Sequence, residues 1–197
     1  MAKYRLLIAT ILLFSAPAYA ELTFSLDLIK DSGDRDLELS NYRFQVDSSF
    51  NADSTGYRLR LGLGSVADSR AELYFSQYEV DAQGQFNSEN ELDFGANYIL
   101  TFPQKSLIPF LKAGIGVGRA DTDTKFITST GDTTDNIWNV HFNLGAGLSY
   151  SFTENLAVTA SLGYVYRVWE EIDYGSSITM SITDSIFRFG VGVDVSF

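Results

Sequence analysis

The chain contains no cysteine, only three prolines and a single histidine, and past residue 20 it has no apolar run long enough for a membrane-spanning helix. Each shortage removes a class. Without cysteine there is no disulfide framework, no thiolate metal site and no thiol nucleophile. Proline breaks sheet ladders, so its rarity leaves long strands possible. Positive charge is scarce as well. The chain carries 14 Lys and Arg against 25 Asp and Glu, and without Lys3 and Arg5 the balance is 12 against 25, a net charge of −13. Phosphate binding needs a basic surface, so nucleic acid is excluded as a partner.

The first 20 residues stand apart from the rest. Lys3 and Arg5 precede an apolar run from Leu6 to Phe14 broken only by Thr10, and Ala18-Tyr19-Ala20 is a small-x-small cleavage site. This reads as a secretory signal peptide, with Ala18 and Ala20 setting the cut and Glu21 opening the mature chain. No cysteine follows the site, so no lipoprotein anchor is expected. Residues 21–197 show no linker and no low-complexity segment, which fits one domain.

What the mature chain has in abundance is period-two alternation. Phe187, Phe189, Val191, Val193, Val195 and Phe197 share one parity, and Arg188, Gly190, Gly192, Asp194 and Ser196 the other. Successive side chains of a strand point to opposite faces, so this segment has one apolar face and one polar or small face. The pattern recurs in eight segments, roughly 22–29, 55–66, 70–80, 90–102, 107–120, 136–152, 156–169 and 182–197. The connections between them alternate long (30–54, 81–89, 121–135, 170–181) and short (67–69, 103–106, 153–155). An even strand count with turns of alternating length predicts an all-β fold, an eight-stranded antiparallel up-and-down transmembrane β-barrel.

A soluble barrel would alternate too, but with its apolar face inward. Two observations place the apolar face outside. Nearly all bulky apolar residues share one face, and an eight-stranded interior is too narrow to hold them, whereas the Gly, Ser, Asn and Thr of the other face fit. Aromatics also gather near strand ends: Phe102, Phe110, Tyr150, Phe152 and Phe197 at the short-turn end, and Tyr57, Trp138, Tyr166 and Phe187 towards the other. Such girdles mark the two interfaces of a bilayer.

The signal peptide, the eight strands, the run Pro109-Phe110-Leu111-Lys112-Ala113-Gly114-Ile115-Gly116-Val117-Gly118 and a last strand ending in Phe197 together resemble the small outer-membrane β-barrel proteins. That family includes the OmpA transmembrane domain, OmpX and the Opa-type opacity proteins. The resemblance covers the whole mature chain. It implies a Gram-negative outer membrane, with lipid and lipopolysaccharide around a monomer. It also implies that Phe189, Val191, Val193, Val195 and Phe197 form the signal read by the barrel-assembly machinery. No peptidoglycan-binding domain is expected after the barrel.

Three sets of residues could carry chemistry. The polar face holds Arg58, Arg60, Glu72, Asp93, Lys112, Arg167, Arg188 and Asp194. Charges in a narrow interior must pair or meet water, so these form either an ion path or a salt-bridged plug, and the narrow bore favours the plug. His141, on lumen parity, is the second candidate. Family members that act on lipid A use a histidine with a serine, but Asn143 stands two residues on from His141, and Ser176, Ser177 and Ser181 fall in a connection. Neither a nucleophile nor an orienting acid is identifiable, so no catalytic residue is expected. The third set is acidic: Asp31-Ser32-Gly33-Asp34-Arg35-Asp36, Asp121-Thr122-Asp123, Asp132, Asp135, Glu170, Glu171 and Asp173. Its spacing matches no calcium loop, so neither a metal site nor a cofactor is expected, only a solvated face and loose divalent bridging to lipopolysaccharide phosphates. The resulting expectation is a structural or surface-interaction protein whose connections meet a host or surface ligand. A narrow channel is the alternative, and a lipid A-modifying enzyme the third reading.

Overall fold

The computed structural model describes residues 21–41, 43–82, 88–127, 133–173 and 178–197; the cleavage residues Ala18 and Ala20 and the serines Ser176 and Ser177 lie outside them. Nine strands are present among the described residues: β1 (Leu22–Ser40), β2 (Gln45–Leu63), β3 (Arg70–Ala82), β4 (Ser88–Thr101), β5 (Leu107–Ile127), β6 (Thr133–Ser151), β7 (Leu156–Trp169), β8 (Ile172–Asp173) and β9 (Thr179–Ser196). β8 is a two-residue addition to β9. The other eight pair antiparallel in chain order, and β1 pairs with β9 to close the sheet into a ring. One end carries Glu21, Phe197 and the connections 64–69, 102–106 and 152–155, and is called the lower end.

Closure has a measurable stagger. Following directly paired residues round the ring leads from Val168 to Val140, Val117, Phe94, Phe75, Leu59, Leu26, Val193 and back to β7 at Val158. The path starts at residue 168 and returns at 158, so the shear is ten residues over eight strands. For eight strands this means a tilt of about 40° and a bore only wide enough for side chains to fill. Every residue on that path is apolar, and the exposed large hydrophobic residues include all nine.

Alternation governs burial on every wall. Leu144 and Leu162 are 66% and 67% exposed on the outside, while Asp194, Asp184 and His141 inside are fully buried. β3, where parity is hardest to read from sequence, puts Leu73 and Phe75 outside and Glu72, Tyr74 and Ser76 inside. Two glycines have specific work. A Cβ at Gly116 would run into the His141 imidazole and the Tyr74 hydroxyl. Gly64 turns the chain from β2 towards β3 at φ +125°, a conformation costly for any side chain.

Three expectations are corrected. Residues 121–135 are largely strand, because β5 runs on to Ile127 and β6 starts at Thr133. Residues 30–54 are not a long connection either: β1 continues to Ser40, β2 starts at Gln45, and Asn41 turns the chain by accepting from the Arg43 and Phe44 amides at 2.7 and 2.9 Å. The acidic run from Asp31 to Asp36 is therefore strand, with Asp31 and Arg35 buried inside. The strand signature was invisible because the outward residues there, Ser32, Asp34 and Asp36, are polar, although the backbone pairing persists. Phe110, assigned to the lower aromatic girdle, is 6% exposed and faces the lumen, because Lys112 and Gly114 share its parity.

The facing assignment predicts a large asymmetry between neighbours. Leu144→Arg or Leu162→Arg should cost about 2–4 kcal/mol of folding stability, as expected for a cation at mid-bilayer depth. Urea unfolding in phospholipid vesicles measures this, and unchanged stability in both variants would contradict the outward orientation of these residues.

Candidate functional site

The lumen is filled in layers. At the lower end Val66, Ile108 and Ala157 form a small apolar cluster. Above it Arg60 is the hub of a first ion network. Its guanidinium, from β2, reaches Asp27 on β1 at 2.7 Å, Glu72 on β3 at 2.9 Å and Asp194 on β9 at 2.8 Å, so four strands meet at it. Arg70 adds a second cation on Glu72 at 2.9 Å and donates to the Val66 carbonyl at 3.0 Å. Asp194 also accepts from the Thr159 hydroxyl.

A second network lies towards the upper end. Arg188 grips Asp31 through two parallel hydrogen bonds of 2.7 and 2.6 Å. Arg35 donates to Asp184 at 2.7 Å and to Glu91 at 3.0 Å. Arg167 donates to Glu91 at 2.7 Å and to Asp93 at 2.9 Å. The Trp169 indole donates to Asp184 at 3.0 Å, and its ring lies 5.0 Å beneath the Arg35 guanidinium. An apolar cluster of Ala120, Ile137, Trp169, Ile172, Met180 and Ile182, flanked by Leu37 and Leu39, closes this end.

Between the networks sit the two remaining cations. Arg58 donates to Ser76 at 2.9 Å and to the Tyr78 hydroxyl at 3.3 Å, and stacks 4.4 Å from the Tyr74 ring. Lys112 donates to Ser161 at 3.2 Å. Among the described residues neither has a carboxylate within ion-pair distance. The lower network has three carboxylates against two guanidiniums, and the upper has four against three. Each is short of one positive charge, and Arg58 and Lys112 in the middle supply two. In formal charge the described lumen therefore balances as a whole, which limits the Coulombic cost of burying so many charges.

All eight residues read from the sequence as a lumen charge network face the interior: Arg58, Arg60, Glu72, Asp93, Lys112, Arg167, Arg188 and Asp194. The partners extend beyond that set. Arg188 pairs with Asp31, and Asp27, Arg35, Arg70, Glu91 and Asp184 are further members that the sequence reading passed over. His141 is fully buried in mid-barrel. Its Nδ1 lies 3.0 Å from the Asn139 amide oxygen and its Nε2 2.7 Å from the Tyr74 hydroxyl. With the amide oxygen as acceptor, the ring proton sits on Nδ1 and Nε2 accepts from Tyr74. Both nitrogens are thus engaged with groups that are neither nucleophile nor carboxylate. Ser181 lies near the top of β9, paired with Glu38.

A closed ring of eight long strands, an apolar outside and a polar, ion-paired inside describe a barrel built for a bilayer. The model of the outer membrane protein beta-barrel domain family matches residues 6–197. The chain belongs to that family. An outer-membrane barrel places this chain in the outer membrane. Among solved structures it is similar to Neisserial surface protein A, at 19% identity over 88% of this chain and 97% of the other, with a TM-score of 0.54. It is also similar to the outer membrane protein OprG from Pseudomonas aeruginosa, at 12% identity over 90% and 96% of the two chains, with a TM-score of 0.56. At these identities the likeness is one of fold. None of the curated proteins compared with it matches in sequence.

The networks predict where charge removal hurts this outer-membrane barrel. Asp184→Ala strips the acceptor of Arg35 and Trp169 and a carboxylate 3.8 Å from Arg167, and should cost about 3–5 kcal/mol, the range for breaking a buried pair. Asp121→Ala removes the partner of Arg119 in a pair 43% and 59% exposed, and should cost at most about 1 kcal/mol. Equilibrium unfolding of the two variants side by side tests the contrast.

Proposed function

We propose that this outer-membrane barrel is a closed, non-conducting scaffold that presents its upper hairpins at the cell surface for interaction. The observation that carries this reading is the filled lumen: two ion networks stacked between two apolar clusters, with Arg58, Arg167, Tyr74, Tyr78, His141, Glu72 and Glu91 all fully buried. The lower connections span at most six residues, whereas residues 30–55 of the β1–β2 hairpin extend beyond the outward apolar residues Leu28 and Tyr57; short periplasmic ends and long outer extensions are the rule for outer-membrane barrels, so this hairpin faces outward. Its exposed side chains include Asp34, Asp36, Glu38 and Asp47, which suits a cationic or hydrogen-bonding partner: a host or surface ligand, or lipopolysaccharide phosphates bridged by divalent cations. The reading involves no catalysis, since His141 is spent on Tyr74 and Asn139. It takes the protein as a monomer, exported through a signal peptide cut after Ala20.

Two measurements test this reading together. Refolded protein in planar bilayers should show no conductance steps above the lipid background, and trypsin added to intact cells should cut after the exposed Arg43 at the hairpin tip. Sustained single-channel steps would favour the narrow channel instead, and protection of Arg43 until cells are lysed would reverse the orientation.

The last strand carries a second part of the proposal. Phe197 is 77% exposed, and its backbone exchanges hydrogen bonds of 2.9 and 3.2 Å with Leu22. We read Phe189, Val191, Val193, Val195 and Phe197 as the signal for the barrel-assembly machinery. Deleting Phe197 should then lower the amount inserted in cells several-fold while changing stability after refolding in detergent only modestly, because an interfacial aromatic lies outside the mid-membrane. Equal insertion of both chains would remove the assembly role.

A further inference from the structure

The apolar belt round the barrel is far taller on one side than on the other. At a tilt near 40° each residue climbs about 2.5 Å along the barrel axis, and each step to the next strand shifts the paired residue by about 1.25 residues. On that scale the lower ends of the belt fall near one level. The upper ends do not. On β6 outward apolar residues run from Tyr150 to Trp138, and on β7 from Leu156 to Val168, about 30 Å each. On β1 they stop at Leu28 and on β2 at Tyr57, about 15 Å above Leu22 and Leu63, and on β3 they stop at Phe75.

Above those points the wall of β1, β2 and β3 turns polar at once, with Lys30, Ser32, Thr55, Asp53, Gln77 and Glu79 pointing outward. Lys30, Gln77 and Thr55 stand within about one residue of the height of the apolar residues Phe142, Val117 and Phe187 on the taller strands β6, β5 and β9. The interface markers shift in the same sense. Tyr57 turns its hydroxyl to Gln77 on the short side, about 12 Å lower than Trp138 on the tall side.

We infer that the wall of β1, β2 and β3 is a docking surface for the polar headgroup layer, so that the outer half of the bilayer is thinned beside it. A flat bilayer matched to β6 and β7 would press hydrocarbon on a lysine, a glutamate, an aspartate and a glutamine at once. Thinning the lipid on three of eight strands costs far less, because mismatch is penalised only gently per ångström while charges in hydrocarbon are not. The wall's mixed charges and amides are those that hydrate or meet lipid headgroups. A packed interface with a second copy calls for apolar anchors, which are missing at that height.

The absence of cysteine makes the test direct. Single variants Thr55→Cys and Gln77→Cys on the short side, and Val117→Cys and Phe142→Cys on the tall side, are spin-labelled and refolded into phosphatidylcholine vesicles. Ser32→Cys and Phe187→Cys form a reserve pair should one variant misfold, which the circular dichroism of the sheet reports. Accessibility to a water-soluble nickel chelate should exceed accessibility to oxygen several-fold at Thr55 and Gln77, with the reverse at Val117 and Phe142. Oxygen-dominated relaxation at all four sites would overturn the inference. So would dipolar broadening at Thr55 and Gln77 that disappears on dilution with unlabelled protein, because a second copy would then cover the wall.

Discussion

Everything in this molecule depends on one constraint: in hydrocarbon no backbone donor or acceptor can be left without a partner. Closure of β1 on β9, from Thr23 with Ser196 to Ser40 with Thr179, removes both open edges at once. Closure of eight strands with a stagger of ten residues then dictates the tilt, and with it a bore of side-chain width. The period of two follows, since each strand must show lipid one face and this narrow bore the other.

The bore in turn dictates the chemistry of the core. Seven described carboxylates and seven described cations share the interior; Arg70 meets Glu72 along β3 and Arg188 meets Asp31 on the neighbouring strand, while Arg60 with Asp194, Arg35 with Glu91, and Arg167 with Glu91 and Asp93 reach beyond adjacent strands. Arg60 joins β1, β2, β3 and β9, and Arg35 joins β1, β4 and β9. Such links tie together walls that backbone pairing joins only to their neighbours. The glycines make this possible. Where Gly116 lies on β5, the space that a side chain would take is used by His141 from the adjacent strand β6 and Tyr74 from β3.

Much of this was legible in the sequence, and the gaps have particular causes. Strand existence and facing could be read wherever outward residues are apolar, as from Leu92 to Leu100. They could not be read from Asp31 to Ser54, because the upper part of β1 and β2 faces neither hydrocarbon nor a purely polar lumen, and alternation has no apolar partner there. Asp31 and Arg35 were hidden for that reason. Asp27, Arg70, Glu91 and Asp184 were not hidden, for each has lumen parity within a strand that could be read, and parity alone selects them. Which carboxylate meets which cation is another matter. Asp31 and Arg188 are 157 residues apart, and only the stagger of the closed ring brings them together.

Why the core is ionic rather than apolar follows from the route as much as from the destination. A strand apolar on both faces over its whole length would offer a continuous apolar stretch, and a chain bound for the outer membrane must first cross an inner membrane that retains such stretches as helices. Alternation with Gly, Asn, Asp and Arg keeps every segment below that threshold. The consequence is a polar lumen, and in a bore this narrow a polar lumen is stable only when its charges balance and its hydrogen bonds close. The described charges balance in formal count across two networks, each one positive charge short, with Arg58 and Lys112 between them. The ion-paired interior is thus the form a packed core takes when the outside of the fold must be the hydrophobic side.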